Sequence, residues 1–306
     1  MSRRGLLLFA AMCVIWGIPY LFIRIAVHEI SPAVLVFMRT GVATLILLPL
    51  AISRGNLRGI GRRWPWIVVF AAVEVGVPWF FLSSAEQHLS SALTGLLISA
   101  VPLVSLVIAL LFGNRQQIGP VNLVGLLLGL VGVACIVGFD LRASDWTALV
   151  ALGIVVVGYS LGPAILARYL SGVPSVAVNG LALALCCVVY APVAIVQWPH
   201  AVSLAVVGSI AVLAVICTAL AFLLFFALIA EVGPVRATVI TYVNPAVAAV
   251  LGVLVLGESL TPGMLFGFAL VLAGSALATR LPGRSPEGPM IPVAEDPGRV
   301  GEGVPR

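Results

Sequence analysis

The sequence contains no lysine, and charged residues make up only 9% of its 306 positions. A water-soluble domain carries roughly 25% charged residues. So little charge cannot cover the surface of a soluble globule of this length. Disorder is excluded for most of the chain because apolar residues, at 62%, take the place of the missing charge. Cysteine is also scarce. Cys13, Cys135, Cys186, Cys187 and Cys217 each lie inside an apolar run, with no CxxC or Cys/His spacing. That pattern excludes the usual zinc and disulfide frameworks and leaves small apolar packing residues. No Walker sequence, nucleotide fingerprint, Ser/His/Asp set or HExxH occurs, so phosphate-driven pumping by this chain alone is not expected and no cofactor is called for. The formal charge of +5 comes from sixteen arginines against eleven acidic residues, and the arginines are spread mostly over loops. A nucleic-acid partner would gather them on one domain, so none is expected.

What is present is long apolar sequence, with a mean hydropathy of +1.22. A helix needs about 20 residues at 1.5 Å each to cross roughly 30 Å of hydrocarbon. Polar punctuation divides the chain into ten such runs: Gly5–Ile25, Pro32–Ile52, Trp64–Ala85, Ala92–Phe112, Pro120–Phe139, Trp146–Ala167, Pro174–Gln197, Ser203–Ala230, Pro234–Leu256 and Pro262–Thr279. Their length without dyad alternation predicts helices rather than barrel strands. Several open on proline, which suits a first helical position because its missing N–H would be unpaired there anyway. The first run is too long for a signal core and is read as a retained span. The class is an all-α polytopic membrane protein.

Thirteen arginines fall on one side of these spans, including Arg54, Arg58, Arg62 and Arg63 in one loop, against Arg24 and Arg142 on the other. The positive-inside rule then places both termini in the cytoplasm. The segment 281–306 holds six prolines and five glycines without apolar period. It reads as a disordered cytoplasmic tail.

The spans repeat. Gly125 to Gly132 and Gly267 to Gly274 share one spacing, and Pro102 and Pro245 sit at matching depth. Gly17-Ile-Pro19 parallels Gly158…Gly162-Pro163, and Pro32 and Pro49 parallel Pro174 and Pro192. A five-span unit has an odd count, so its second copy enters the membrane from the opposite side. Residues 1–139 and 140–280 are therefore expected to be inverted repeats, with proline-broken helices and a solute site near the midplane.

Trp16-Gly17, Pro32…Arg39 and Pro245…Gly257-Glu258-Ser-Leu-Thr…Gly267…Gly274 resemble the drug/metabolite transporter superfamily, specifically its EamA-type members. The likeness spans nearly all of Gly5–Thr279. One departure is Asn114-Arg115, where the first half would match the late Gly-Glu pair. The resemblance implies ten helices around a central cavity, the fifth and tenth peripheral, and export of small metabolites. It also implies a structural capping role for Glu258.

Charge inside a bilayer is costly and marks candidate function. Glu74 lies about 15 Å from the cytoplasmic face and Arg39 about 12 Å from the outer face, by helical rise. Their depths permit a pair. Glu74 suits an amine or a cycling proton, and Arg39 a carboxylate; a static ion pair between two spans is the plain alternative. Further cavity candidates are Trp16, Tyr20, Trp79, Ser99, Tyr159, Asn179, Thr218, Tyr242 and Asn244. Ser99 and Tyr242 share one offset before Pro102 and Pro245, and a kink at Pro245 would bare backbone groups beside Asn244. Taken singly, each of these is more simply a helix contact or an interfacial aromatic. Trp64, Trp66, Trp146 and Trp198 read as interface anchors. Glu86, His88, Glu231 and Glu258 read as solvated span ends.

The expectation is a secondary transporter in the cell membrane, of bacterial inner-membrane type, exporting a small polar or amphipathic metabolite that is amino-acid-like or drug-like. Its partners are the solute, the lipid bilayer, protons as a coupling ion and, as an open alternative, a second copy in a homodimer. An integral-membrane enzyme acting on a lipid or lipid-linked substrate would need a catalytic cluster at one interface. A membrane scaffold would lack a central polar cavity.

Overall fold

The computed structural model describes residues 2–57, 60–111, 119–138, 146–233, 237 and 239–279. Expectations for Arg58, the Asn114-Arg115 loop, Asp140, Arg142, Asp145, Pro234, Arg236 and the tail lie outside these residues. Helix is the regular structure of the described chain, which contains no strand. Eight helical spans are long and apolar enough to cross a membrane. They are α1 (Arg3–Ala26), α2 (Pro32–Ser53), α3 (Gly61–Ala85), α4 (beginning Ser91–Ile108), α5 (Pro120–Gly138), α6 (Trp146–Tyr169), α7 (Ser175–Val196) and α8 (Leu204–Val232). Two shorter apolar helices follow, α9 (Ile240–Leu256) and α10 (Pro262–Ala278). Large apolar side chains such as Leu7, Leu45, Val188, Val196, Leu204 and Leu254 face outward. Exposure on this scale would aggregate in water, and lipid satisfies it. The protein is a multi-pass membrane protein.

Hydroxyl caps set where the helices begin. Ser31, Ser90, Ser203 and Thr261 each accept a bond from the N–H three residues on, at 3.1–3.4 Å. These bonds satisfy donors that a helix start leaves open. Pro32 and Pro262 hold the first helical position behind their caps, whereas Pro174 is itself the cap residue of α7.

The proline breaks occur at only some of the expected places. α1 is interrupted at Trp16–Ile18, just before Pro19, and α4 between Ile98 and Val101, just before Pro102. α6 and α9 run without interruption through Pro163 and Pro245. Two interruptions have no proline inside them. α3 passes through a π-helical segment at Ala71–Gly76, and α8 through another at Val212–Leu220.

Helices at corresponding positions in the two halves pack together: α2 on α7, α4 on α9, and α5 on α10. α3 packs on α6, and α1 on α8. Exchanging the first five helices for the last five returns this same set of pairs. The like pairs run antiparallel. In the α2–α7 pair, Gly41 meets Cys187 while Gly180 meets Leu48. In the α4–α9 pair, Gly95 meets Ala248 while Gly252 meets Ser91.

The α5–α10 contact is the tightest. A Cβ on Gly132 would fall 2.6 Å from the Gly267 carbonyl oxygen, and one on Gly267 would fall 2.6 Å from that of Gly132. Gly125 and Gly274 likewise meet backbone of the facing helix. Only glycine allows main chains to come this close.

Candidate functional site

Arg39 is 7% exposed and sits in the middle of α2. Its guanidinium lies over the Trp79 ring of α3, 3.7 Å from the centroid. Its Nε donates to Thr218 Oγ1 at 3.0 Å. Thr218 in turn donates to the Leu213 carbonyl at 2.7 Å, five residues back, inside the π-helical segment of α8. A π turn places its fifth-residue carbonyl where a threonine side chain reaches it, so α8's irregular turn is also what aims Thr218 at Arg39. The terminal guanidinium nitrogens have no acceptor among the described residues. Cys217, Tyr159, Glu86 and Tyr20 lie within electrostatic range of the cation, none of them in hydrogen-bond contact with it.

Glu74 occupies the π-helical segment of α3. It lies against Gly162 of α6, where a Cβ would collide with the carboxylate. One turn away, Gly158 admits the Val73 carbonyl and Pro78. Glu74 Oε2 is enclosed and has no hydrogen-bond partner. No ion pair joins Glu74 to Arg39, although the depths permit one; Arg39 is engaged by Thr218 and Trp79 instead. Tyr159 lies within range of both charges and in contact with Trp79. Arg39, Trp79, Tyr159, Tyr20, Thr218 and Glu74 thus converge on one buried region, built from α1, α2, α3, α6 and α8.

The remaining candidates lie elsewhere or are already engaged. Trp16 packs on Phe225, centroids 4.7 Å apart, with Phe222 edge-on at 6.4 Å. Ser99 Oγ donates to the Leu96 carbonyl at the break in α4. Asn179 donates to the Ser175 carbonyl at 2.9 Å and leaves Oδ1 buried without a donor. Tyr242 ties α9 to α10, its hydroxyl 2.9 Å from Thr279 Oγ1 and 3.3 Å from the Ser275 carbonyl. Its equal offset with Ser99 therefore does not place the two in like surroundings. The Asn244 amide, oriented to donate, reaches the carbonyls of Ile240 at 2.9 Å and Cys13 at 3.0 Å. Beside it, Gly17 lets the α1 break approach Val247 and the Asn244 carbonyl.

The solvated-end reading is overturned for Glu86. Its side chain is fully enclosed and neither carboxylate oxygen has a partner. Arg24 of α1 closes over this turn and donates to the Glu86 carbonyl. Burial pushes the Glu86 carboxyl well above the usual carboxylate range; Arg24 opposes the rise and Glu258 adds to it. The polar run around Glu86 looks like a surface loop in sequence. Nothing local to it reports that a distant helix covers it. At the same end, Glu29 is exposed and held below its ordinary value by hydrogen bonds from Ser203, whose N–H donates to Oε2 at 2.8 Å.

Glu258 is a cap, and it caps a different helix from the one it follows. Gly257 ends α9 at φ +66°. Glu258 N–H bonds back to the Gly252 carbonyl at 3.0 Å, a closing pattern that a left-handed glycine permits. The Glu258 carboxylate then accepts from Ser91 N at 2.7 Å, Ala92 N at 2.9 Å and Ser91 Oγ at 3.0 Å, at the N-terminus of α4. The helix dipole favours a negative group at that position.

The EamA-like transporter family model matches this chain twice, over residues 3–138 and 146–280. The chain belongs to the EamA-like transporter family. It is 26% identical over 291 residues to the Escherichia coli protein named "Uncharacterized inner membrane transporter YedA", covering 94% of each chain. It is 24% identical to the Bacillus subtilis "Uncharacterized transporter YvbV", covering 90% of this chain and 92% of that one. An "Uncharacterized transporter" of Archaeoglobus fulgidus is 23% identical over 87% of this chain and 95% of its own length. One crystal structure superposes with a TM-score of 0.63 at 22% identity, covering 91% of this chain and 97% of that one. At that identity the likeness concerns the fold alone. Within the EamA-like family frame, the converging region around Arg39 lies among helices drawn from both matched ranges.

Proposed function

We propose that this EamA-like chain is a secondary transporter of the cell membrane that exports a small amino-acid-like or amphipathic metabolite by alternating access. The moving parts are residues 1–139 and 140–280, acting as two inverted five-helix repeats with both termini in the cytoplasm. The two family-model matches and the self-exchanging, antiparallel helix pairing support this division. Paired π-helical segments at corresponding places, α3 and α8, support it further. Export is the direction that the family resemblance suggests, and the bacterial inner membrane is the location named for the Escherichia coli relative.

The observation that carries the substrate reading is Arg39, a cation within the membrane span whose terminal nitrogens form no ion pair among the described residues. A charge in that position needs a counter-charge. A substrate carboxylate supplies it with two parallel hydrogen bonds, which the planar guanidinium, held over the Trp79 ring, is shaped to give. Across Tyr159, Glu74 has an unpartnered oxygen suited to the substrate's ammonium group or to a proton. A zwitterion that carries its ammonium and carboxylate on one carbon, as an α-amino acid does, offers a partner of the right sign to each protein charge.

The test is efflux and uptake in vesicles containing the purified protein, against a panel of labelled amino acids and drug-like amphiphiles, with and without a pH gradient. Carboxylate-bearing solutes should move. Arg39→Ala should abolish their movement, and Arg39→Lys, which keeps the charge but not the planar fork, should leave only weak activity. Normal transport by Arg39→Ala would overturn the site assignment.

A further inference from the structure

Glu86 was given no role in the site just described, although it lies within electrostatic range of Arg39, Tyr20 and Tyr159, and it is the most thoroughly enclosed carboxyl group of the described chain. Its residue has no exposed surface and both oxygens lack donors. An ionised carboxylate is not kept in such a place without partners. The groups facing it come from four other elements: Arg24 and Tyr20 from α1, Arg39 from α2, Tyr159 from α6, and Glu258 from the turn after α9. Arg24 spends a nitrogen on the Glu86 main-chain carbonyl rather than on its carboxylate. Glu258 is committed to the α4 start and adds repulsion. Two residues further on, His88 opens onto a polar cleft shared with Ser90, Glu258 and Thr261. Glu86 therefore stands between that cleft and the Arg39–Tyr159 region.

We propose that Glu86 is a proton-binding site of the transport cycle, loaded from the outer cleft and emptied when the two halves rearrange. The inference rests on the transporter reading above. In the loading step a hydronium ion in the cleft gives its proton to a Glu86 carboxylate oxygen, forming the O–H bond and leaving water. In the emptying step that O–H bond breaks and the proton passes to water on the opposite side. The described arrangement is the loaded one, in which a neutral carboxyl tolerates enclosure. Loss of the proton creates an unpaired anion, which swings toward Arg24 or draws in water, and either movement loosens the seal between α1, α3 and α4.

Infrared difference spectroscopy of the full chain in liposomes, titrated from about pH 5 to about pH 9, reads this directly with the proton as the only ligand. A protonated-carboxyl stretch should vanish on alkalinisation. In a Glu74→Gln background, which removes the other enclosed carboxyl, it should be present, disappear once Glu86→Gln is added, and be shifted in frequency but retained with Glu86→Asp. A titrating band that survives in the Glu74→Gln/Glu86→Gln double variant overturns the proposal, as does the absence of any titrating band in the folded Glu74→Gln protein. Glu86→Asp keeps the test open should the glutamine variant fail to fold. In a parallel flux measurement with the labelled amino-acid panel, Glu86→Gln should lose stimulation by the pH gradient; full stimulation would overturn the coupling role. If no solute moves even in the wild type, the transport reading fails while the spectra still decide whether Glu86 takes up a proton.

Discussion

The packing of Gly162 against Glu74 makes a single methyl group decisive. Gly162→Ala drives the new carbon into the carboxylate, and Gly158→Ala drives it toward the Val73 carbonyl at 2.5 Å and Pro78 Cγ at 2.6 Å. Each should cost about 1–3 kcal/mol, seen as a lower melting temperature in detergent. Gly153→Ala on the same helix meets nothing within 4 Å. It should raise stability by up to about 1 kcal/mol through helix propensity alone. Glu86 gives a second residue-level prediction. Its folded-state value is raised, so between the ordinary glutamate value and that raised value the folded protein holds a proton that the unfolded chain has released. Stability should therefore fall as pH rises through that window and level off above it. Thermal melts across pH should show this slope in the wild type and a flatter one in Glu86→Gln. Glu74 and Arg39 stand out in the sequence because charge is conspicuous inside apolar runs. The burial of Glu86 depends on Arg24, sixty-two residues earlier, and no local pattern encodes it.

Many helix boundaries were readable from polar punctuation to within a few residues, because hydroxyl caps at Ser31, Ser90, Ser203 and Thr261 and glycines at Gly233 and Gly257 change the backbone chemistry there. The expected breaks before Pro19 and Pro102 are present, but those at Pro163 and Pro245 are not; a proline removes one bond, and a helix packed on both sides can carry that loss. The π-helical segments of α3 and α8 left no mark in the sequence. A π turn is one residue of excess helix, and ordinary apolar residues form it. Neighbouring side chains hold it: Cys186 Sγ lies 3.4 Å from the Ala71 carbonyl, and Tyr190 donates to that of Gly76 at 3.0 Å. Tyr190→Phe should cost about 1 kcal/mol and speed amide exchange in Ala71–Gly76, measured by mass spectrometry. At the other end of the bundle, Glu258→Ala removes three acceptor contacts from the start of α4. A loss of about 0.5–2 kcal/mol in the melt is expected, and Glu258→Gln should recover only part of it, because its amide nitrogen cannot accept from the N–H it would face.

For the whole molecule, the arginine count gives an orientation that can be checked without knowing the solute. Single cysteines placed at Ser2 and in the segment 281–306, in a background lacking the five native cysteines, should both label from the cytoplasmic side only. Labelling from opposite sides would remove the inverted-repeat reading, since an even number of crossings would no longer fit. The glycine contact between α5 and α10 constrains motion at the same scale. Main chain there rests on main chain, with no side chains between to slide or re-rotamerise, so in the proposed alternating-access cycle the halves should turn about this seam as a door turns about its post. A disulfide engineered between α5 and α10 at positions flanking the glycines should leave flux intact, whereas one fastening α3 to α6 beside Glu74 should lock the protein shut.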